Sequence, residues 1–225
     1  MSAEVQTLKN ADLSITAREA LITKLQTNTD FIIGDTSYFR AYHQQLYDAS
    51  KVRLLEGVSD TQIRTEFLSN VEDTADSIRL ENVLSSRVDM QNELITFDQM
   101  LARMVHNKVY DQINMNTFNF VNASFENLLW RFPTDEEFDV GYNMVEFNIS
   151  TLLFGQPGQN KSNYVSIISS SREMFEGNII WVYRQLLARV PTTEETLFLI
   201  EDYFTHRNIA LVQKHVMVTD EYANF

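Results

Sequence analysis

Leu128-Leu129-Trp130-Arg131-Phe132-Pro133-Thr134-Asp135-Glu136-Glu137 and Leu186-Leu187-Ala188-Arg189-Val190-Pro191-Thr192-Thr193-Glu194-Glu195 are one phrase written twice, 58 residues apart. An aromatic residue, Phe125 or Tyr183, precedes each leucine pair so that the three share one helix face. Proline disfavours helical geometry in the residue before it and ends that helix. Thr134 and Thr192 then stand as N-caps of a following helix, with Glu137 and Glu195 three residues on to close a capping box. Each phrase therefore reads as a helix corner. Capping accounts for the glutamate spacing without assigning these residues to acid–base chemistry.

The rest of the chain agrees with helices. Only six Gly and three Pro punctuate 225 residues, too few for the turn every 8–12 residues or so of a sandwich or barrel. Apolar residues make up 44% and aromatic residues 12%, enough to fill a sizeable core. The first dozen residues read as a polar lead-in, and Thr16-Ala17-Arg18-Glu19 as a capping box opening a helix. The pattern breaks around Gly34-Asp35. A second helix through Phe39, Tyr42, Leu46 and Ala49 runs to about Leu55 and stops at Gly57.

Ser59-Asp60-Thr61-Gln62 is a further Ser-x-x-Gln start. The stretch from Gln62 to Ile113 holds no Gly or Pro, and its length predicts two antiparallel helices with a break near Ser85-Ser86. Leu94, Phe97, Leu101, Met104, Val105 and Val109 form an apolar stripe. Met90, Met100, Met104 and Met115 read as core filler. Further on, Phe118, Val121, Phe125, Leu128 and Leu129 define a core face. Phe154 through Ser162 reads as a loop between helical units.

These elements predict an all-α protein, a multi-helix array or bundle of about eight or nine helices, with a diverged helical duplication in the C-terminal half. Residues 1–113 form an N-terminal helical region. Residues 114–225 form a C-terminal one carrying two corner repeats, 114–153 and 178–225, the whole packed as one domain.

Function is less legible. A net charge of −13 argues against a nucleic-acid backbone and against an anionic membrane surface. No cysteine is present, which excludes zinc–thiolate sites and thiol nucleophiles. No apolar run approaches the about 18 residues of a membrane span. Met1-Ser2-Ala3-Glu4 has neither a basic nor an apolar leader region, and the compartment is left open. His43, His106, His206 and His215 are scattered, no nucleophile elbow occurs, and no cofactor fingerprint is found. The sequence points to neither cofactor nor metal and away from an enzyme.

Asn116, Asn119 and Asn122 stand three apart on a helix, where asparagine is a poor interior residue. The alternative reading is a protein that binds a small ligand or carbohydrate, or a hydrolytic one of unrecognised kind, with a polar pocket lined by these and by Trp130, Tyr142 and Glu146; Asn116, Asn119, Trp130, Tyr142 and Glu146 are the candidate ligand-binding residues.

The segment from Trp181 to Tyr222 resembles the helical repeats of phycobilisome-linker-like and secreted bacterial modules. Their pattern runs Tyr-x-x-Leu-Leu-x-Arg-x-Pro-x-x-x-Glu, matched at Tyr183 through Glu195, and closes on a Glu-Tyr pair, matched at Glu221-Tyr222. The helical domains of planctomycete-type cytochrome-associated surface proteins have a similar phrase. The likeness covers about one fifth of the chain well, and residues 118–150 more loosely. Ala188 and Trp130 stand where the linker pattern has glycine, and the basic surface of many linkers is missing. The resemblance implies a non-enzymatic bacterial interaction module, often extracytoplasmic, whose partner is a protein or a surface polymer.

Overall fold

The computed structural model describes residues 3–30, 32–33 and 36–224. The break expected at Gly34-Asp35 and the first two residues of Met1-Ser2-Ala3-Glu4 lie outside them. Among the described residues are fourteen α-helices and two small antiparallel ribbons. The chain is all-α in class, with more helices than the eight or nine expected.

The N-terminal helices are α1 (Ala3–Asn10), α2 (Ile15–Thr27) and α3 (Tyr38–Leu54). Residues expected as a lead-in thus form α1. Helix α2 starts at Ser14, whose hydroxyl accepts from the Ala17 amide, two residues before the cap expected at Thr16. The short strands β1 (Ile32–Ile33) and β2 (Thr36–Ser37) pair between α2 and α3. Helix α3 does end at a left-handed turn, with Glu56 at φ 49° and Gly57 at φ 75°.

The stretch without Gly or Pro breaks elsewhere than expected. Ser59 and Gln62 close a capping box on α4 (Asp60–Gln62), which runs into a π-helical turn (Ile63–Phe67) and a 3-10 turn (Leu68–Asn70). Asp73 then caps α5 (Thr74–Gln91), which passes through Ser85-Ser86 unbroken. The Ser86 hydroxyl donates to the Asn82 carbonyl at 2.6 Å and that of Ser85 to Asp89 at 2.7 Å, so both satisfy themselves within the helix.

From here the chain runs in triplets of helices. The first is α6 (Phe97–Val105), α7 (Lys108–Asn114) and α8 (Thr117–Leu129). The second is α9 (Asp135–Phe147), α10 (Lys161–Ser170) and α11 (Arg172–Leu187). The third is α12 (Thr193–His206), α13 (Ile209–Met217) and α14 (Asp220–Ala223). The first helix of each triplet has a threonine N-cap: Thr96, Thr134 or Thr192. The middle helix has an asparagine N-cap: Asn107, Asn160 or Asn208. The last starts behind Asn116, Ser171 or Thr219, whose side-chain oxygens accept an amide from the first turn. A residue at positive φ lies three or four positions before each threonine: Glu93, Trp130 and Ala188.

In the second triplet the expected loop is in part a hairpin. Strands β3 (Thr151–Leu153) and β4 (Gln156–Gly158) pair with Leu152 opposite Pro157. Phe154 (φ 51°) and Gly155 (φ 72°) form the two-residue connection, and positive φ at both positions matches the twist of paired strands.

Contacts divide the chain into two compact units, Leu46–Asn178 and Met1–Gln45 with Ile179–Phe225. The first is centred on α6, which buries Phe97, Met100, Leu101, Met104 and Val105. Around it Tyr110, Phe120, Phe125, Tyr164, Met174 and Phe175 are likewise buried. The Tyr164 hydroxyl lies 2.6 Å from that of Ser124, and the Asn127 amide donates to the Tyr110 hydroxyl at 3.0 Å. A Cβ on Gly177 would fall 2.3 Å from the Leu128 carbonyl oxygen, so α11 meets the end of α8 backbone to backbone. In the second unit Ile22, Leu199, Ile200, Tyr203, Ile209, Val212 and Val216 are buried.

Three residues expected in the core are outside it. Leu94 is exposed in the turn after α5, Met115 is exposed at φ 62° between α7 and α8, and Phe118 is exposed on α8, where Phe120 is buried instead. Helix α8 starts at Asn116, and this phase turns position 118 outward.

Candidate functional site

The corners hold more than caps. Thr134 accepts from the Glu137 amide at 3.3 Å, and Glu137 accepts from the Thr134 amide at 2.8 Å. Arg131 grips the same carboxylate with Nη1 and Nη2 at 2.7 and 2.8 Å, and grips Glu173 of α11 with Nε and Nη2. Its remaining Nη1 hydrogen goes to the Phe132 carbonyl at 3.0 Å. All five guanidinium donors are therefore used. The second corner repeats this atom for atom. Arg189 holds Glu195 at 2.7 and 2.9 Å, Glu221 of α14 at 2.6 and 2.7 Å, and the Val190 carbonyl at 3.0 Å. The guanidinium groups lie over the rings of Phe125 and Tyr183 at 5.2 and 5.1 Å.

Bonding to Arg131 pulls the Glu137 carboxyl down to about 2, and bonding to Arg189 does the same for Glu195. At neutral pH neither glutamate carries a proton to give, and neither arginine has a donor to spare for a ligand. The nodes hold helices in place. Sequence reasoning found the caps but missed the arginines. A sequence signal existed: Glu173 and Glu221 each stand two residues after a Ser or Thr, Ser171 and Thr219.

The five candidate ligand-binding residues fall in two places. Asn116 is the N-cap of α8, its side chain accepting from the Asn119 amide at 2.9 Å. The Thr117 hydroxyl donates to Glu146 of α9, which joins Asn116, Asn119 and Glu146 at one end of the α8–α9 pair. Tyr142 lies one turn before Glu146. Trp130 is at the other end of α8, about 20 Å away along a helix of this length. It is half-buried, with the Arg53 guanidinium 5.8 Å from its ring.

The α8–α9 pair instead presents a row of rings. Phe118 meets Phe138 edge-on at 4.9 Å, Phe138 stacks with Tyr142 at 5.7 Å, and Tyr142 meets Phe147 at 5.8 Å. Phe118 and Phe147 are 57% and 59% exposed, and Met115, three residues before Phe118, is 78% exposed. Phe138 and Tyr142, between Phe118 and Phe147, are half-buried. Burying such side chains is worth about 1.5–3 kcal/mol each, so leaving Phe118, Phe147 and Met115 in water makes a costly surface. Around it stand the exposed carboxylates of Asp135, Glu136, Asp139 and Glu146. Between Lys108 and Lys161 the chain carries seven carboxylates and a single cation, Arg131, which the corner consumes.

A second cluster joins α6, α7 and α10. His106 Nε2 lies 3.5 Å from the Ser162 hydroxyl. Burial, with Arg79 and Lys161 nearby, pushes His106 down to about 4, so it is neutral at pH 7. The neighbouring acids Asp76 and Asp111 are paired, Asp76 with Arg79 and Lys108, and Asp111 with Lys161. Among the described residues no carboxylate bonds the second ring nitrogen, the orienting role that a Ser-His-Asp arrangement needs. Nor do any three His, Asp or Glu among them group as metal ligands, and no helix is long and apolar enough to cross a membrane.

Compared with protein-family models, curated proteins and solved structures, the chain has no match.

Proposed function

We propose that the protein is a non-catalytic helical interaction module, and that the ring row on α8 and α9 is its docking face for a basic, amphipathic helical segment of a protein partner. The observation that carries this is the ring row Phe118–Phe138–Tyr142–Phe147, exposed at both ends and half-buried between them, in a stretch of chain rich in carboxylates whose single cation, Arg131, is held at the corner. An apolar row takes the apolar stripe of a helix, and the acidic surround favours lysines and arginines beside that stripe. A second copy of this chain would bring like charges together on both sides.

The triplets α6–α8, α9–α11 and α12–α14 support a reading as diverged helical repeats, two of which carry the Arg-x-Pro corner. The likeness of that corner to linker-like and secreted bacterial modules supports the same class of function. A repeat array displays loops and helix faces at regular intervals and suits contact rather than chemistry. Asn119 and Glu146 then border the docked helix.

The test is fluorescence anisotropy with a labelled amphipathic peptide of leucine and lysine, against its leucine–glutamate counterpart. The lysine peptide is expected to bind, with affinity falling on added salt and about tenfold or more in Phe118→Ser/Phe147→Ser. Equal binding of both peptides, or no loss in the double variant, overturns the reading. Sedimentation equilibrium covers the other occupant: a dimer dissolved by the same two substitutions would assign the face to a second copy.

A further inference from the structure

The unit formed by Met1–Gln45 and Ile179–Phe225 contains a cavity of about 390 Å³ bounded by α2, α3, α13, α14 and the end of α11. That is within the 300–1,000 Å³ or so typical of small-molecule sites. Its walls differ from the rest of this acidic chain. None of the eleven lining residues is Asp, Glu, Lys, Arg or His, although 22% of the sequence is charged. A charged ligand would give up its hydration there and meet no counter-charge.

The apolar part comes from Leu25, Leu186 and Met217 on three different helices. The polar part is built around Tyr42, whose hydroxyl donates to Gln213 Oε1 at 2.6 Å. Burial pushes that phenol above its ordinary value, so it stays neutral throughout the physiological range. The bond also fixes the Gln213 amide, whose oxygen is occupied and whose Nε2 keeps its donors. The Gln45 amide and the Tyr222 hydroxyl also line the cavity and make no side-chain hydrogen bond among the described residues. Neutral donors and acceptors around an apolar floor match a ligand that is mostly apolar, uncharged and furnished with one or two hydrogen-bonding groups.

We infer that this cavity is a binding site for a small, uncharged, largely apolar molecule carrying a hydrogen-bonding group. It lies in the other unit from the α8–α9 ring row and stands or falls independently of the docking face.

A matched pair of fluorescent probes tests it on the full chain. N-phenyl-1-naphthylamine is neutral and carries one N–H, and 8-anilinonaphthalene-1-sulfonate has the same rings with an added anion. The neutral probe is expected to bind saturably at one site with a blue-shifted emission, at least tenfold more tightly than the anion. Ala41→Trp, a filling substitution at an exposed position in the wall, should weaken it tenfold or more with an unchanged melting temperature. Phe198→Ser, at an exposed ring outside the cavity, should leave it unchanged. If Ala41→Trp lowers the melting temperature, Ala41→Gln serves as the milder filling variant and should weaken binding severalfold. Absence of saturable binding, equal affinity for the anion, or indifference to substitution at Ala41 overturns the inference.

Discussion

Single residues at the corners make opposite demands of the same backbone. Ala188 and Trp130 both occupy left-handed geometry, φ 51° and 58°, which costs an L-residue about 1–2 kcal/mol. Ala188 is exposed and has nothing to offset that strain, so Ala188→Gly is expected to stabilise the protein by about 0.5–1 kcal/mol in urea unfolding. Trp130 is half-buried under Arg53, so Trp130→Gly should destabilise it, the lost packing exceeding the relieved strain. The glycine of the linker pattern is thus absent for a physical reason at one corner only. Gly177 is the converse case. Alanine would gain about 1 kcal/mol of helix propensity, but its Cβ would sit 2.3 Å from the Leu128 oxygen. The clash dominates, and Gly177→Ala is expected to cost about 2–3 kcal/mol in the same measurement. Thr192→Ala removes an N-cap and should cost about 1 kcal/mol, an unchanged melting temperature counting against the capping argument.

At the scale of elements, each corner joins three helices through one arginine and two carboxylates. Glu137 and Glu195 have folded-state values near 2 against an ordinary 4.5, because each is held by an arginine. A depressed carboxyl binds fewer protons folded than unfolded between those limits. The stabilisation is therefore complete above about pH 4.5 and is lost as pH falls toward 2. Thermal melts should be flat from neutral pH down to about 5, then decline, and Glu137→Gln/Glu195→Gln should flatten the decline. Arg131→Lys keeps the charge but loses the two-pronged grip, and should cost about 1–2 kcal/mol. Arg189→Lys should cost less, since Glu221 is more exposed than Glu173 and solvent screens its pairing more.

At the scale of the molecule, stability is unevenly spread. Helix α1 has no buried residue, whereas α6 and α8 each bury six. Amide exchange should accordingly be fast in α1 and slowest in α6 and α8; uniform protection across the chain would contradict this. The all-α class, the stops at Gly57, Pro133 and Pro191 and the caps at Ser59, Thr134 and Thr192 were legible in the sequence, because local sterics and first-turn hydrogen bonds need only neighbouring residues. The fate of Ser85-Ser86 was not, since the choice between helix interior and break depends on what the helix packs against. Phe118 read as core by spacing and Met115 as core filler; the phase set by the Asn116 cap turned Phe118 outward, and the left-handed turn between α7 and α8 exposed Met115. The candidate site followed the same division. Asn119 was picked out by helical spacing, and Tyr142 and Glu146 as companions in a polar pocket, but pairing α8 with α9 is what lined up four rings beside them. Glu173 and Glu221 lie 42 and 32 residues from the arginines they hold. The sequence by itself determined where helices start and stop, because those signals act within a turn. Only the tertiary structure decided which faces met, which charges were consumed and which rings were left in water, because those depend on residues far apart in the chain.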